Sequence, residues 1–165
     1  MINHIVIDVD GTLTDGGVYY DDTGNELKKF NTKDGAGFLV ANSVGMKTVI
    51  LTGRECAATV RRMTELKATH LFQNVKNKRE FLESFMMGEG IIKEEIGYIG
   101  DDVNDLDAMS LVGFIGCPAD ACNEVREMAD YISDKTGGHG AVRDVIEHIL
   151  IENGMWDKAV RDTYC

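Results

Sequence analysis

Two aspartates stand two positions apart near the start of the chain, in His4-Ile5-Val6-Ile7-Asp8-Val9-Asp10-Gly11-Thr12. The apolar, β-branched run ahead of them has strand character. Residues i and i+2 of a strand point the same way, so the carboxylates of Asp8 and Asp10 would share one face, and Gly11 lets the backbone turn off the strand end. Two carboxylates held close repel each other unless a cation or a shared proton compensates. An acidic loop after a buried strand has the same pattern and no chemistry, so the pair alone decides nothing.

Other chemistry-bearing residues fall at comparable places. Thr52 follows the apolar run Lys47 to Leu51, with Gly53 and Arg54 behind it. Asp101 and Asp102 follow the run Ile96 to Ile99 and Gly100, and Lys78 opens a helical stretch after a third run. Each has an ordinary explanation: a helix cap for Thr52, a solvated face for Lys78, a solvated turn for the acids. Collected at one rim of one sheet they suit phosphoryl chemistry. Carboxylates from Asp8 and Asp101 suit Mg²⁺, a hard cation that prefers oxygen and keeps several waters. Thr52 offers a hydroxyl donor and Lys78 a point charge for phosphate oxygens. An aspartate can attack phosphorus and divide hydrolysis into formation and breakdown of an aspartyl phosphate. Asp10 is placed to protonate the leaving alkoxide and then to activate water.

The elements that must position these residues alternate. After the first strand, residues 17–30 read as a β-hairpin turning at Asp21-Asp22-Thr23-Gly24-Asn25, with Tyr19, Tyr20 and Phe30 many aromatics for an exposed ribbon. Helix Asp34 to Val44 stops at Gly45, strand Lys47 to Leu51 follows, and helix Glu55 to Leu66 turns Ala58, Val60 and Met63 inward. Then come a strand from His70 to Gln73, a helix from Lys78 to Met87, and a strand from Ile96 to Ile99. A helix from Leu106 to Leu111, a strand from Gly113 to Gly116, a helix from Asn123 to Met128 and a strand at Tyr131-Ile132 follow. The glycine cluster Gly137-Gly138-His139-Gly140 leads into helix Ala141 to Ile151, and residues 153–165 form a loosely held, partly helical tail. Such alternation implies right-handed crossovers, a mostly parallel sheet covered on both faces, and ligands beyond the strands' carboxyl ends. The expected organisation is a single α/β domain over residues 1–165.

Composition narrows the partners. The 165 residues carry a net charge of −11, with 44% hydrophobic and 27% charged residues. That acidity disfavours nucleic acid and anionic membranes, which need a basic footprint. It also means that an anionic substrate must be met by local cations. No apolar run reaches transmembrane length and no leader precedes the first strand, so a cytoplasmic location is expected. Cys56, Cys117, Cys122 and Cys165 lack the spacing of a zinc site or a disulfide framework and read as reduced thiols.

Asp8-Val9-Asp10-Gly11-Thr12, Leu51-Thr52-Gly53-Arg54, Lys78 and Gly100-Asp101-Asp102-Val103-Asn104-Asp105 resemble, in order and spacing, the four motifs of the haloacid dehalogenase superfamily of phosphatases. The resemblance implies a Rossmann-like three-layer sandwich, Mg²⁺, Asp8 as nucleophile and Asp10 as general acid and base. It implies a metal held by Asp8, the backbone carbonyl of Asp10, and Asp101, with Asp102 and Asp105 supporting the metal and the lysine. Thr52, Gly53, Lys78 and Asn104 would hold the phosphoryl group. The intervals Asp10 to Thr52 and Thr52 to Lys78 are already filled by the elements above, which leaves no room for a cap domain. Water exclusion must then come from elsewhere, and a neighbouring subunit meeting the hairpin is the economical source.

Thr14-Asp15-Gly16, Lys29-Phe30-Asn31, Lys33-Asp34-Gly35, Thr69-His70-Leu71-Phe72-Gln73 and Gly137-Gly138-His139-Gly140-Ala141-Val142-Arg143 extend the similarity to the capless 3-deoxy-D-manno-octulosonate (KDO) 8-phosphate phosphatases. That resemblance implies homotetramers whose hairpins assemble centrally, a phosphorylated sugar acid as substrate, and Arg54 and Arg143 as cations for its carboxylate. His139 departs from the arginine common in that group's glycine cluster. Related enzymes that act on nine-carbon sialic-acid-type 9-phosphates (KDN or N-acetylneuraminate) therefore stay open as an alternative. A receiver-type phosphorylation switch also gathers acids, a threonine and a lysine at one sheet rim, but Asp10 beside the nucleophile favours rapid hydrolysis. Phosphotransfer by the same aspartate is disfavoured by the missing cap.

Overall fold

The structure, a computed structural model, describes residues 1–165. The chain runs β1 (His4–Ile7), a tight turn over Val9–Leu13, the hairpin strands β2 (Tyr19–Tyr20) and β3 (Glu26–Leu27), α1 (Thr32–Ser43), β4 (Lys47–Leu51) and α2 (Ala57–Glu65). It continues through β5 (His70–Phe72), α3 (Lys78–Glu89), β6 (Ile96–Ile99), α4 (Leu106–Met109), β7 (Phe114–Cys117), α5 (Asn123–Met128), β8 (Tyr131–Ile132), α6 (Ala141–Glu152) and α7 (Trp156–Tyr164). Six strands make one parallel sheet in the order β5-β4-β1-β6-β7-β8. The chain leaves β1 first toward β4 and β5 and later returns to its other side with β6, so strand order reverses at β1. In an open parallel sheet that reversal opens a crevice at the strands' carboxyl ends.

Burial on both faces explains the apolar strands. Ile5 and Ile7 point into one core with Phe38, Val40, Ile50, Val142 and Ile146, under α1 and α6. Val6, one residue out of phase, points into a second core with Val49, Leu51, Leu82, Tyr98, Met109 and Ile115. The helices begin where the side chains allow: Asn31 caps α1 by accepting from the Lys33 amide at 2.9 Å, and Asn77 caps α3 through the Glu80 amide at 3.1 Å. No inserted cap domain is present. The hairpin and α1 fill the first interval between site segments, and α2 and β5 the second.

Three local expectations differ from what forms. In α2, which starts two residues later at Ala57, the buried positions are Thr59 and Met63, whereas Val60 is 44% exposed, because the helical stripe Thr59, Met63 and Leu66 is the one turned inward and Val60 lies off it. Phe30, counted among the exposed hairpin aromatics, packs against the first core. The C-terminal segment, read as a loose tail, is helix α7 docked on α1. Ala159 is buried, its carbonyl accepts from Ser43 Oγ at 3.1 Å, and Arg143 stacks over the Trp156 ring at 5.0 Å.

Removing α7 by ending the chain at Asn153 uncovers the outer side of α1. A loss of about 2 kcal/mol of apolar burial corresponds to a melting temperature roughly 4–8 °C lower for a chain of this size. Calorimetry of the truncated chain checks this, and an unchanged melting temperature would show that the helix contributes nothing to the fold.

Candidate active site

Asp8 follows the last residue of β1, and its amide continues the ladder by donating to Ile99 O at 2.9 Å. Its side chain is therefore delivered to the crevice, where the residue is only 5% exposed. Lys78, the first residue of α3, reaches the same point from the next crossover. Its ammonium donates to Asp8 Oδ1 and Asp105 Oδ1, both at 2.7 Å. Asp105 is fully buried and also accepts from the Tyr98 hydroxyl at 2.8 Å and the Asp101 amide at 3.3 Å. Thr12 Oγ1 donates to Asp101 Oδ1 at 2.8 Å and ties the turn after β1 to the loop after β6. Gly11 is required between them. It has φ of +91°, and a Cβ there would lie 2.1 Å from Asp101 Oδ2.

Three carboxylates converge here: Asp8, Asp101 and Asp105 each place an oxygen within 4.8 Å of the others. The set has the hard-oxygen chemistry that a divalent cation prefers. Asp105 has committed both oxygens to Lys78, Tyr98 and a backbone amide, so the carboxylates with capacity left for a cation are Asp8 and Asp101. Burial, with the Asp105 charge beside it, holds the Asp8 carboxyl well above the usual range despite Lys78. Burial works against the Lys78 ammonium, but Asp8 and Asp105 outweigh it and raise its pKa. Asp101 is pushed up to about 6, chiefly by burial and the nearby Asp105 and Asp102 charges, against the Thr12 hydrogen bond.

Around this centre the other candidates take distinct positions. Thr52 is buried just past β4, its amide donating to Phe72 O at 3.0 Å, with Gly53 and Arg54 leading away. Asp102 faces solvent and accepts from the Val103 amide at 2.8 Å, capping the short turn Val103–Asp105, and Asn104 on that turn is exposed. Asp10 is contacted by Lys28, whose side chain is 2% exposed and also donates to Glu26 Oε1 at 2.9 Å. Arg54 Nη2 completes the chain by pairing with Glu26 Oε1 at 3.0 Å. The hairpin thus folds over its own rim through Asp10, Lys28, Glu26 and Arg54. His139 and Arg143 line a separate polar cavity with Lys33, Lys135, Asp144 and Glu147. There Arg143 Nε pairs with Glu147 at 3.2 Å, and His139 Nδ1 lies 2.9 Å from Gly137 O.

Sequence reasoning missed two participants. Nothing in the spacing of Lys28 marks it, because the hairpin's return places it at Asp10. Tyr98 lies unremarked inside the strand Ile96 to Ile99, although the hydroxyl of a buried tyrosine needs a polar partner, and that need is a usable signal.

The electrostatics imply a definite pH response. The folded pKa of Asp101, about 6, lies above its ordinary value of 3.8, so between the two the folded chain binds the extra proton. The metal-free protein therefore gains stability from this group as pH falls through about 6 and loses that contribution as pH rises. A cation at Asp8 and Asp101 competes with the same proton. MgCl₂ is expected to raise the melting temperature at neutral pH and to do so much less at about pH 5. Equal shifts at both pH values would contradict this arrangement.

No family model matches the chain. Among characterised proteins, 3-deoxy-D-manno-octulosonate 8-phosphate phosphatase of Escherichia coli strain K12 is 37% identical over 158 residues, covering 96% of this chain and 84% of that relative. The crystal structure of the Moraxella catarrhalis phosphatase of the same name, in complex with magnesium ion, phosphate ion and KDO, matches with 38% identity and a TM-score of 0.92. That match covers 97% of this chain and 92% of the other. The cobalt-bound Haemophilus influenzae phosphatase matches with 32% identity and a TM-score of 0.88, covering 94% of this chain and 91% of the other. Similarity of this extent, over a fold and motif set of the same kind, shows that the chain belongs to the 3-deoxy-D-manno-octulosonate 8-phosphate phosphatase family of the haloacid dehalogenase superfamily.

Proposed function

We propose that this phosphatase hydrolyses KDO 8-phosphate to KDO and phosphate through an aspartyl phosphate on Asp8, with Mg²⁺ held by Asp8, the Asp10 backbone carbonyl and Asp101. The observation that carries the reading is the buried Lys78 bridge between Asp8 and Asp105, with Asp101 alongside. It brings Asp8, a lysine ammonium and the Asp101 carboxylate to one point, which supports reading them as nucleophile, phosphoryl-binding cation and metal ligand. The bound Mg²⁺ supplies positive charge to the phosphoryl oxygens and relieves repulsion between the carboxylates. Lys78 has used two of its three ammonium donors, which leaves one for a phosphoryl oxygen, while the Thr52 hydroxyl, the Gly53 amide and Asn104 offer further donors.

In the first step an Asp8 carboxylate oxygen bonds to phosphorus and the P–O bond to the sugar breaks, with the alkoxide taking its proton from the Asp10 carboxyl. In the second, the Asp10 carboxylate accepts a proton from water as its oxygen bonds to phosphorus. The bond to Asp8 then breaks, releasing phosphate and restoring both aspartates. Asp102 and Asp105 support the metal loop and the lysine. Arg54 at the rim and Arg143 in the neighbouring cavity supply positive groups for a substrate carboxylate, which an otherwise acidic chain needs locally, and His139 beside Arg143 offers a further polar contact.

The hairpin supports an oligomer, and the resemblance to the capless phosphatases makes that oligomer a homotetramer. Val18, Tyr19, Tyr20 and Leu27 are exposed on an element of two short strands, and such a ribbon is marginal without packing. No helix is long and apolar enough to cross a membrane, and all four cysteines are unpaired, which suits a reducing cytoplasm. His139 favours testing the nine-carbon 9-phosphates beside KDO 8-phosphate.

Steady-state turnover of KDO 8-phosphate, KDN 9-phosphate, N-acetylneuraminate 9-phosphate and simple hexose phosphates is expected to rank KDO 8-phosphate first by kcat/KM. Uniformly poor rates on the ulosonic acids remove the substrate assignment. Asp8→Asn is expected to abolish turnover while leaving the folded oligomer intact by light scattering, and wild-type turnover by that variant refutes the nucleophile.

A further inference from the structure

Asp34 is a buried carboxylate that the reaction above does not use. It lies in the first turn of α1 and is 2% exposed. An acid there is ordinarily explained by its own helix, whose N-terminal amides and dipole favour negative charge. Asn31 already caps that helix, however, and the Asp34 carboxylate turns away from it. It accepts from the Arg143 amide at 3.0 Å and the Gly140 amide at 3.3 Å, and the Val142 amide also points to it. These amides belong to the cap residue and the first turn of α6. The cap residue, Gly140, has φ of +101° and no side chain to accept from that turn. Asp34 therefore supplies, from α1, the capping oxygens that α6 lacks.

The segment held in this way presses on the catalytic turn. Gly138 N donates to Thr12 O at 3.1 Å. Gly137 packs so closely on the turn that a Cβ there would fall 1.8 Å from Gly11 O, with its amide fixed by Asp120 Oδ1 at 2.9 Å. Thr12 in turn donates to Asp101. A continuous path of short contacts runs from Asp34 through the α6 amides and residues 137–138 to the turn that carries Asp10 and to Asp101. We propose that Asp34 is a positioning residue for phosphoryl transfer: by capping α6 from α1 it sets the glycine loop that fixes the Gly11-Thr12 turn, and so the placement of Asp10 and Asp101. The proposal rests on the roles given to those two aspartates above. Misplacing a reacting group by about 1 Å can cost up to about a hundredfold in rate even when the altered residue is remote.

Three variants separate positioning from simple stability: Asp34→Ala, Asp34→Asn, which keeps one acceptor oxygen, and Val40→Ala, which hollows the same α1 packing without touching the cap. Asp34→Ala is expected to lower kcat roughly ten- to hundredfold with KM changed by less than about threefold. It is also expected to weaken Mg²⁺ binding measured by calorimetry without substrate, and to speed hydrogen exchange across residues 137–143. Asp34→Asn should recover a large part of kcat. Val40→Ala should lower the melting temperature and leave kcat and Mg²⁺ binding unchanged. Wild-type kcat and Mg²⁺ binding in Asp34→Ala overturn the proposal. So does a matching loss of kcat in Val40→Ala at an equal drop in melting temperature. If Asp34→Ala does not fold, Asp34→Asn decides by itself: a kcat and Mg²⁺ affinity measurably below wild type with faster exchange across residues 137–143 support the proposal, and wild-type values in all three overturn it. Activity is followed on any phosphomonoester the wild type turns over, so a failed KDO assignment leaves this test standing.

Discussion

A lysine ammonium held between two buried carboxylates is the constraint on which this molecule turns. Lys78, Asp8 and Asp105 come from three separate connections of the sheet and meet at a point where all three side chains are buried. Two buried carboxylates without the lysine would be severely destabilising, since breaking a buried ion pair by removing one partner typically costs about 3–5 kcal/mol. The Tyr98 hydroxyl and the Asp101 amide satisfy what remains of Asp105. Lys78 holds Asp8 through Oδ1 and so orients its carboxylate at the crevice, as the nucleophilic role proposed for it requires.

The parallel sheet explains why these residues can meet at all. Each strand delivers its last residue to the same rim. The reversal at β1 spreads the loops on either side, so Asp8, Thr52 and Asp101 arrive from neighbouring strands instead of competing for one loop. The global charge would repel a phosphorylated sugar acid, so the cations near the rim carry particular weight. Lys28 and Arg54 are both engaged by Glu26, which sits between them as a carboxylate held by two positive groups. His139 and Arg143 lie apart, in a cavity that adjoins the glycine loop.

The helical layer beneath that loop also reaches the reaction. Asp34 links α1 to the start of α6, and α6 carries both the glycine loop at its head and the Arg143 stack on Trp156 along its side. One short stretch of α6 thus ties the catalytic turn to the C-terminal helix. In a close-packed interior such a link transmits displacement because no soft layer lies between the parts.

The reaction class could be read from residue types and spacing alone. A strand followed by Asp-x-Asp-Gly, a strand followed by Thr-Gly, a lysine opening a helix and a strand followed by Gly-Asp-Asp are local patterns, and the strand period aims the side chains of each. Alternation of strand and helix likewise set the sheet type, and the filled intervals excluded a cap. What depends on long-range packing stayed hidden. Lys28 reaches Asp10 only because the hairpin folds back. Asp105 serves the lysine while Asp102 caps a turn, a choice decided by which neighbour is buried. The tail docks because α1 offers it a surface. Nothing in the helix pattern around Asp34 tells that the start of α6 lies against its carboxylate. Local patterns determine which way a side chain leaves its own element; only the packed tertiary structure decides which distant group it finds there.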